Sequence, residues 1–163
     1  MTISKVSFTS RETAESQPGA PGIAVISITD PGSPPAALSP CFGPLLRLAF
    51  YDAVPADDYL PAPCPGLFDH RMAREVCAFI DRLQAARETY AVLVHCEYGI
   101  SRSAAVALFV EAACEVPLQA REYACDANSW VMTCLERARP KISIDLPLPE
   151  QAHDRRQGAR HAR

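Results

Sequence analysis

His95-Cys96-Glu97-Tyr98-Gly99-Ile100-Ser101-Arg102-Ser103 is the stretch on which the reading of this 163-residue chain turns. It follows a short apolar run, Ala91-Val92-Leu93-Val94, of a length that suits a buried strand. It precedes Ala104 to Ala113, a run of good helix formers. A strand, a tight loop and a helix start in that order form an anion site. The loop amides point inward, and the helix adds its first unpaired N–H groups and the positive end of its dipole. Cys96 at the foot of the loop offers a nucleophile, and Arg102 at its far end offers a fixed cation. A planar guanidinium grips two oxygens of a tetrahedral anion at once, which an ammonium does not. Gly99 allows a turn that a β-carbon obstructs. Ser103 stands where its hydroxyl can hydrogen-bond the Cys96 sulfur.

Outward from the loop, strands are expected over 3–9, 23–28, 45–51 and 91–95. Helices are expected over about 10–15 and 69–86, from the loop to Cys114, over 117–125 with Pro117 in its first turn, and over 128–138. Asp69 and Asn128 are expected as caps. The proline-rich residues 53–67 read as a surface loop. Lys141 to Leu146 reads as an edge strand or an extended strap. Strands that alternate with helices, followed by a run of helices, imply a single α/β domain with a central, largely parallel sheet flanked by helices. The domain is expected over 1–148, with 149–163 a disordered basic tail.

The formal net charge of -3 gives no argument for nucleic acid or an anionic membrane surface. No apolar run approaches the roughly 20 residues of a membrane span. No basic segment followed by an apolar stretch opens the chain, so the expected location is the cytoplasm. Seven cysteines lack the spacing of a zinc site and read as reduced thiols, with Cys77, Cys114 and Cys134 in the core.

The pattern His95-Cys96-x5-Arg102-Ser103 resembles the signature loop of cysteine-dependent protein tyrosine phosphatases. With Gly99 and the run Ser101-Arg102-Ser103-Ala104-Ala105 it looks most like the compact dual-specificity branch, over about residues 3–138. The resemblance implies a phosphatase-like fold and a phosphocysteine intermediate at Cys96. It implies phosphate binding by Glu97, Tyr98, Gly99, Ile100, Ser101 and Arg102, with His95 and Ser103 supporting the cysteine, and no metal or organic cofactor. It also implies an aspartic acid that protonates the leaving oxygen. Asp52 fits that position best, with the Asp57/Asp58 pair and Asp69 as alternatives. His95 is expected to bond the loop backbone, Glu97 to face solvent, and His70, Arg71 and Arg74 to form a helix's polar face.

The loop carries no lysine, which disfavours polyphosphorylated lipid headgroups. The implied substrate is a phosphorylated protein or peptide, chiefly phosphotyrosine and also phosphoserine or phosphothreonine, or another tetrahedral oxyanion. Neither nucleic acid nor membrane is implied as a partner. Two other readings remain open: a non-catalytic phosphate-binding pseudophosphatase, and a cysteine-based arsenate reductase or sulfurtransferase.

Overall fold

The computed structural model describes residues 2–55 and 65–149. Strands β1 (Ile3–Ser10), β2 (Ile23–Thr29), β3 (Leu45–Ala49) and β4 (Tyr90–Cys96) form one sheet in the order β1-β4-β2-β3, and every pair is parallel. The helices are α1 (Arg11–Ser16), α2 (His70–Ala85), α3 (Arg102–Cys114) and α4 (Ser129–Ala138). The central strands β2 and β4 are nearly continuous apolar runs, as strands covered on both faces must be. Side chains alternate across a strand. On one face Ala24, Ile26 and Ile28 of β2 join Val92, Val94 and Cys96 of β4 in the main core, under α2, α3 and α4. On the other face Val25, Ser27, Leu93 and His95 are also buried, on the side where α1 packs against β1 and β4. Ala14 of α1 is buried there too.

The helix starts are capped as expected. Asp69 accepts from Met72 N at 2.8 Å and Asn128 from Val131 N at 3.0 Å. α3 differs, because the Ser101 side chain makes no cap bond. Its first amides are therefore left without a side-chain cap. All residues from Arg102 to Val110 are buried, so α3 is the central helix and is apolar nearly all round.

Two expectations change, and one alternative is decided. No α-helix forms over 117–125; only a 3-10 helix, Arg121–Asp126, is present. Pro117 O instead accepts from Val6 N at 3.1 Å, and Gln119 N donates to Val6 O at 2.9 Å, so this segment extends the open edge of β1. Edge pairing satisfies the backbone of both segments and wins over local helix preference. The third strand ends at Ala49, not Tyr51. Residues 142–148 form no strand; they are a strap, with Ile142 and Ile144 packed on the core and Ile144 N bonded to Glu136 Oε1 at 2.9 Å. Asp57, Asp58, Cys64 and the tail from 150 lie outside the described residues.

Because every strand runs the same way, the carboxyl ends of all four meet at one edge of the sheet. Ser10, Asp30, Phe50 to Asp52 and Cys96 are brought there from distant parts of the chain. Ligand crevices of parallel α/β sheets form at this edge.

Candidate active site

Cys96 is the last residue of β4, paired in register with Ser10 of β1. It is 2% exposed, yet its sulfur is not enclosed by hydrocarbon alone, since it shares a hydrogen bond with Ser103 Oγ at 3.1 Å. The chain then turns through Glu97–Ser101 into α3. Gly99 makes the turn possible in two ways. Its φ is +69°, and a β-carbon there would lie 2.4 Å from Ser10 N and Thr9 C, both backbone atoms. The loop is thus seated directly on the β1–α1 junction, where Arg11 N also donates to Glu97 O at 3.2 Å. Gly99→Ala is expected to cost about 1–3 kcal/mol for the left-handed backbone alone. The clash must also lift the loop, so anion affinity should fall together with the melting temperature. Calorimetric titration with phosphate and a thermal melt on the same sample check this.

Arg102 opens α3 and is 4% exposed. Its Nη1 donates to Asp30 Oδ1 at 2.6 Å and to the Phe50 carbonyl at 2.7 Å. Those two partners come from the ends of β2 and β3, so the sheet edge itself orients the guanidinium. Its Nε is buried without a hydrogen-bond partner from the protein. A buried charged donor left unpaired costs free energy and calls for an acceptor. An oxyanion oxygen bound in the loop would supply one.

His95 is fully buried on the face opposite the main core. Its register partner in β2 is Ser27, and Ser27 Oγ lies 2.6 Å from His95 Nε2. The other ring nitrogen, Nδ1, lies 3.4 Å from the Cys96 carbonyl. Removal from water pushes the His95 pKa down from its ordinary value, partly opposed by the bond to the Cys96 backbone, with smaller effects from Arg11, Arg47 and Glu15 nearby. The unfolded chain therefore takes up this proton first as pH falls below about 6.5, and stability rises with pH through the window beneath that value. His95 contributes no pH slope above it. The slope just below pH 6.5 should be steeper in wild type than in His95→Asn by up to about 1.4 kcal/mol per pH unit. Urea denaturation at a series of pH values measures the difference.

Asp52 is exposed beside the loop, and its Oδ1 accepts from Ser101 Oγ at 2.7 Å and from Asn128 Nδ2 at 2.9 Å. Asn128 also donates to Ala53 O at 3.2 Å, so one side chain both caps α4 and holds the Asp52 segment. Asp69, another of the alternatives, is engaged as the α2 cap. Glu97 does not simply face solvent. It is half-buried, with Oε2 3.8 Å from Arg11 Nη1. Tyr98 is 78% exposed, and Ile100, Tyr51 and Val54 are exposed too, so the segments around the loop present apolar side chains to solvent.

The structure thus brings Cys96, Arg102, Ser103, Ser101 and Asp52 to one sheet edge. It adds residues that sequence reasoning missed: Asp30 and Phe50 on Arg102, Ser27 on His95, and Arg11 on Glu97. Asp30 carries a partial signal, being an acidic residue placed just after a buried strand. Ser27 carries none. Burial pushes Cys114 up to about 11 and raises Cys77 and Cys134, as befits core residues. Among the described residues no group of three or more His, Cys, Asp or Glu side chains is placed to hold a metal ion, and no helix is long and apolar enough to cross a membrane.

The sequence matches no family profile and no curated protein. Among solved structures, the chain is similar to human DUSP28 at 19% identity and a TM-score of 0.44, covering 95% of this chain and 93% of that one. It is similar to human tyrosine phosphatase-like serine/threonine/tyrosine-interacting protein at 20% identity and 0.39, covering 85% and 78%. It is also similar to Tk-PTP in the active form at 15% identity and 0.38, covering 99% and 93%. What the site can do rests on its own geometry.

Proposed function

We propose that this chain is a phosphoric monoester hydrolase that works through a phosphocysteine at Cys96. The observation that carries the reading is the Arg102 guanidinium. Asp30 and Phe50 pin its Nη1 at the sheet edge, and its buried Nε is left for an oxyanion above the cysteine. In the first step the Cys96 thiolate attacks phosphorus, and a sulfur–phosphorus bond forms as the bond to the ester oxygen breaks. Asp52, in its acid form, gives its proton to that oxygen. Both donors to Asp52 fall on Oδ1, which leaves Oδ2 to carry the proton. In the second step water attacks phosphorus and Asp52 takes up its proton. The sulfur leaves as thiolate, stabilised by the Ser103 hydroxyl at 3.1 Å. Inward amides, the α3 N-terminus and Arg102 hold the equatorial oxygens throughout.

The substrate is a phosphoprotein or phosphopeptide, chiefly phosphotyrosine. The absence of lysine from the loop disfavours highly phosphorylated headgroups, and the exposed aromatic and aliphatic side chains of Tyr51, Tyr98 and Ile100 suit an aryl ester. The catalytic unit is the single domain of residues 1–148, acting without cofactor in the cytoplasm. The test is hydrolysis of p-nitrophenyl phosphate with vanadate as competitor. Thiosulfate or arsenate turnover exceeding that rate would replace this reading with a sulfurtransferase or a reductase. Asp52→Asn should lower kcat about 10²–10⁴-fold on phenyl phosphate, whose leaving group is poor, and much less on p-nitrophenyl phosphate. Equal losses on both esters would move the acid elsewhere.

A further inference from the structure

We propose that Ser27 is a positioning residue: its hydroxyl donates to His95 Nε2 and so pins the imidazole in the orientation that keeps Nδ1–H against the Cys96 carbonyl at the root of the anion loop. The assignment rests on the function proposed above only for its kinetic consequence; the tautomer follows from the geometry alone.

The two residues are register partners on adjacent parallel strands, so their side chains leave the same face of the sheet side by side. Both are buried, and the 2.6 Å separation from Oγ to Nε2 is a short hydrogen bond. A neutral imidazole has one N–H and one bare nitrogen, and burial favours the neutral ring here. The Nδ1 side faces a carbonyl oxygen, which can only accept. At 3.4 Å that bond is long and weak, yet it decides the tautomer, because a bare Nδ1 would set two lone pairs against each other. The proton therefore sits on Nδ1, and Nε2 must accept. The only hydrogen available to it in this pair is the Ser27 hydroxyl's.

The consequence reaches the loop through one peptide. The Cys96 carbonyl belongs to the same peptide unit as the Glu97 amide, and a peptide is planar, so holding the oxygen on one side turns the N–H to the other. Ser27 thereby acts on the first amide of the anion loop without being near the anion. Serine at the middle of a buried strand is otherwise unexplained, since an apolar residue would pack there without needing a partner.

Nitrogen-15 histidine correlation spectra of the wild-type protein, with His95→Gln assigning the resonance, should show Nδ1 protonated and Nε2 bare. In Ser27→Ala the Cys96 carbonyl still keeps the proton on Nδ1, but Nε2 loses its donor, so its nitrogen-15 resonance should move downfield as that of a bare nitrogen freed from a hydrogen bond. The kcat/KM on p-nitrophenyl phosphate should fall about tenfold. Ser27→Thr, which keeps the hydroxyl, should restore both the wild-type spectrum and most of the rate. An Nε2–H ring in wild type would overturn the proposal. So would an unchanged spectrum in Ser27→Ala, or a tenfold loss in Ser27→Ala that Ser27→Thr fails to repair while its spectrum is wild type. The spectra read the tautomer whether or not Cys96 turns over phosphate, so failure of the proposed activity and failure of the Ser27 assignment are separable.

Discussion

Cys96→Ser should reduce turnover of p-nitrophenyl phosphate by about 10⁴-fold or more, to background, while inorganic phosphate still binds within a few-fold of wild type. The asymmetry follows from which atoms do what. On the proposed function anion affinity comes from the loop amides, the start of α3, which has no side-chain cap, and Arg102, and none of these is touched by exchanging sulfur for oxygen. Transfer chemistry needs an atom that carries negative charge near neutral pH and later departs from phosphorus. A serine hydroxyl without an adjacent base does neither. The exchange should be gentle on the fold, because Ser103 Oγ is already within hydrogen-bond reach and can pair with the new hydroxyl. Calorimetric titration with phosphate measures retained binding, and a coupled phosphate assay measures lost turnover. Activity surviving in Cys96→Ser at more than a few per cent would remove Cys96 from the chemistry. Loss of binding along with turnover would mean that the variant had disturbed the loop.

The parts of the site that a short window of sequence encodes were readable in it. The loop needs a strand before it, a helix after it and a glycine inside it, and all three lie within residues 91–113. The caps Asp69 and Asn128 are equally local, each bonding an amide three residues on. The alternation of strands and helices also carried the parallel sheet, since such strands cannot be joined by tight turns. What escaped was set by register and topology. Ser27 meets His95 across 68 residues and Asp30 meets Arg102 across 72, and each contact exists only because β2 lies beside β4 with one particular stagger. No property of Ser27 as a residue announces it. The segment at Pro117 failed for a related reason. Proline at a first turn is a fair helix signal, but the open edge of β1 offered that backbone other partners. Asp52 stands between the two cases. It follows a strand, which sequence shows, but Ser101 and Asn128 hold it from 49 and 76 residues away.

Arg102→Lys should lower kcat/KM by about 10³-fold and weaken phosphate binding, although formal charge is conserved. In the proposed mechanism the guanidinium does two jobs with separate atoms. Nη1 is spent on Asp30 and the Phe50 carbonyl, and Nε is kept for the anion. A lysine has one nitrogen on a flexible stem, so it can join the sheet edge or reach the anion but cannot fix both in one plane. If it bonds Asp30, the anion loses its cation. If it turns to the anion, the buried Phe50 carbonyl loses its donor, at about 1–3 kcal/mol. Loss of an oriented donor to the transferring group costs about 10²–10³-fold by itself, and the lost planarity adds to it. Asp30→Asn separates the two jobs, since an amide can still accept from Nη1 while giving up the ion pair. It should therefore lose far less activity than Arg102→Lys, with Arg102 still in place. Steady-state kinetics, phosphate titration and thermal melts on the three proteins read these effects independently. An Arg102→Lys variant within threefold of wild type in kcat/KM would show that charge alone suffices, and that the two-sided fork held at the end of β2 and β3 is not what the chemistry uses.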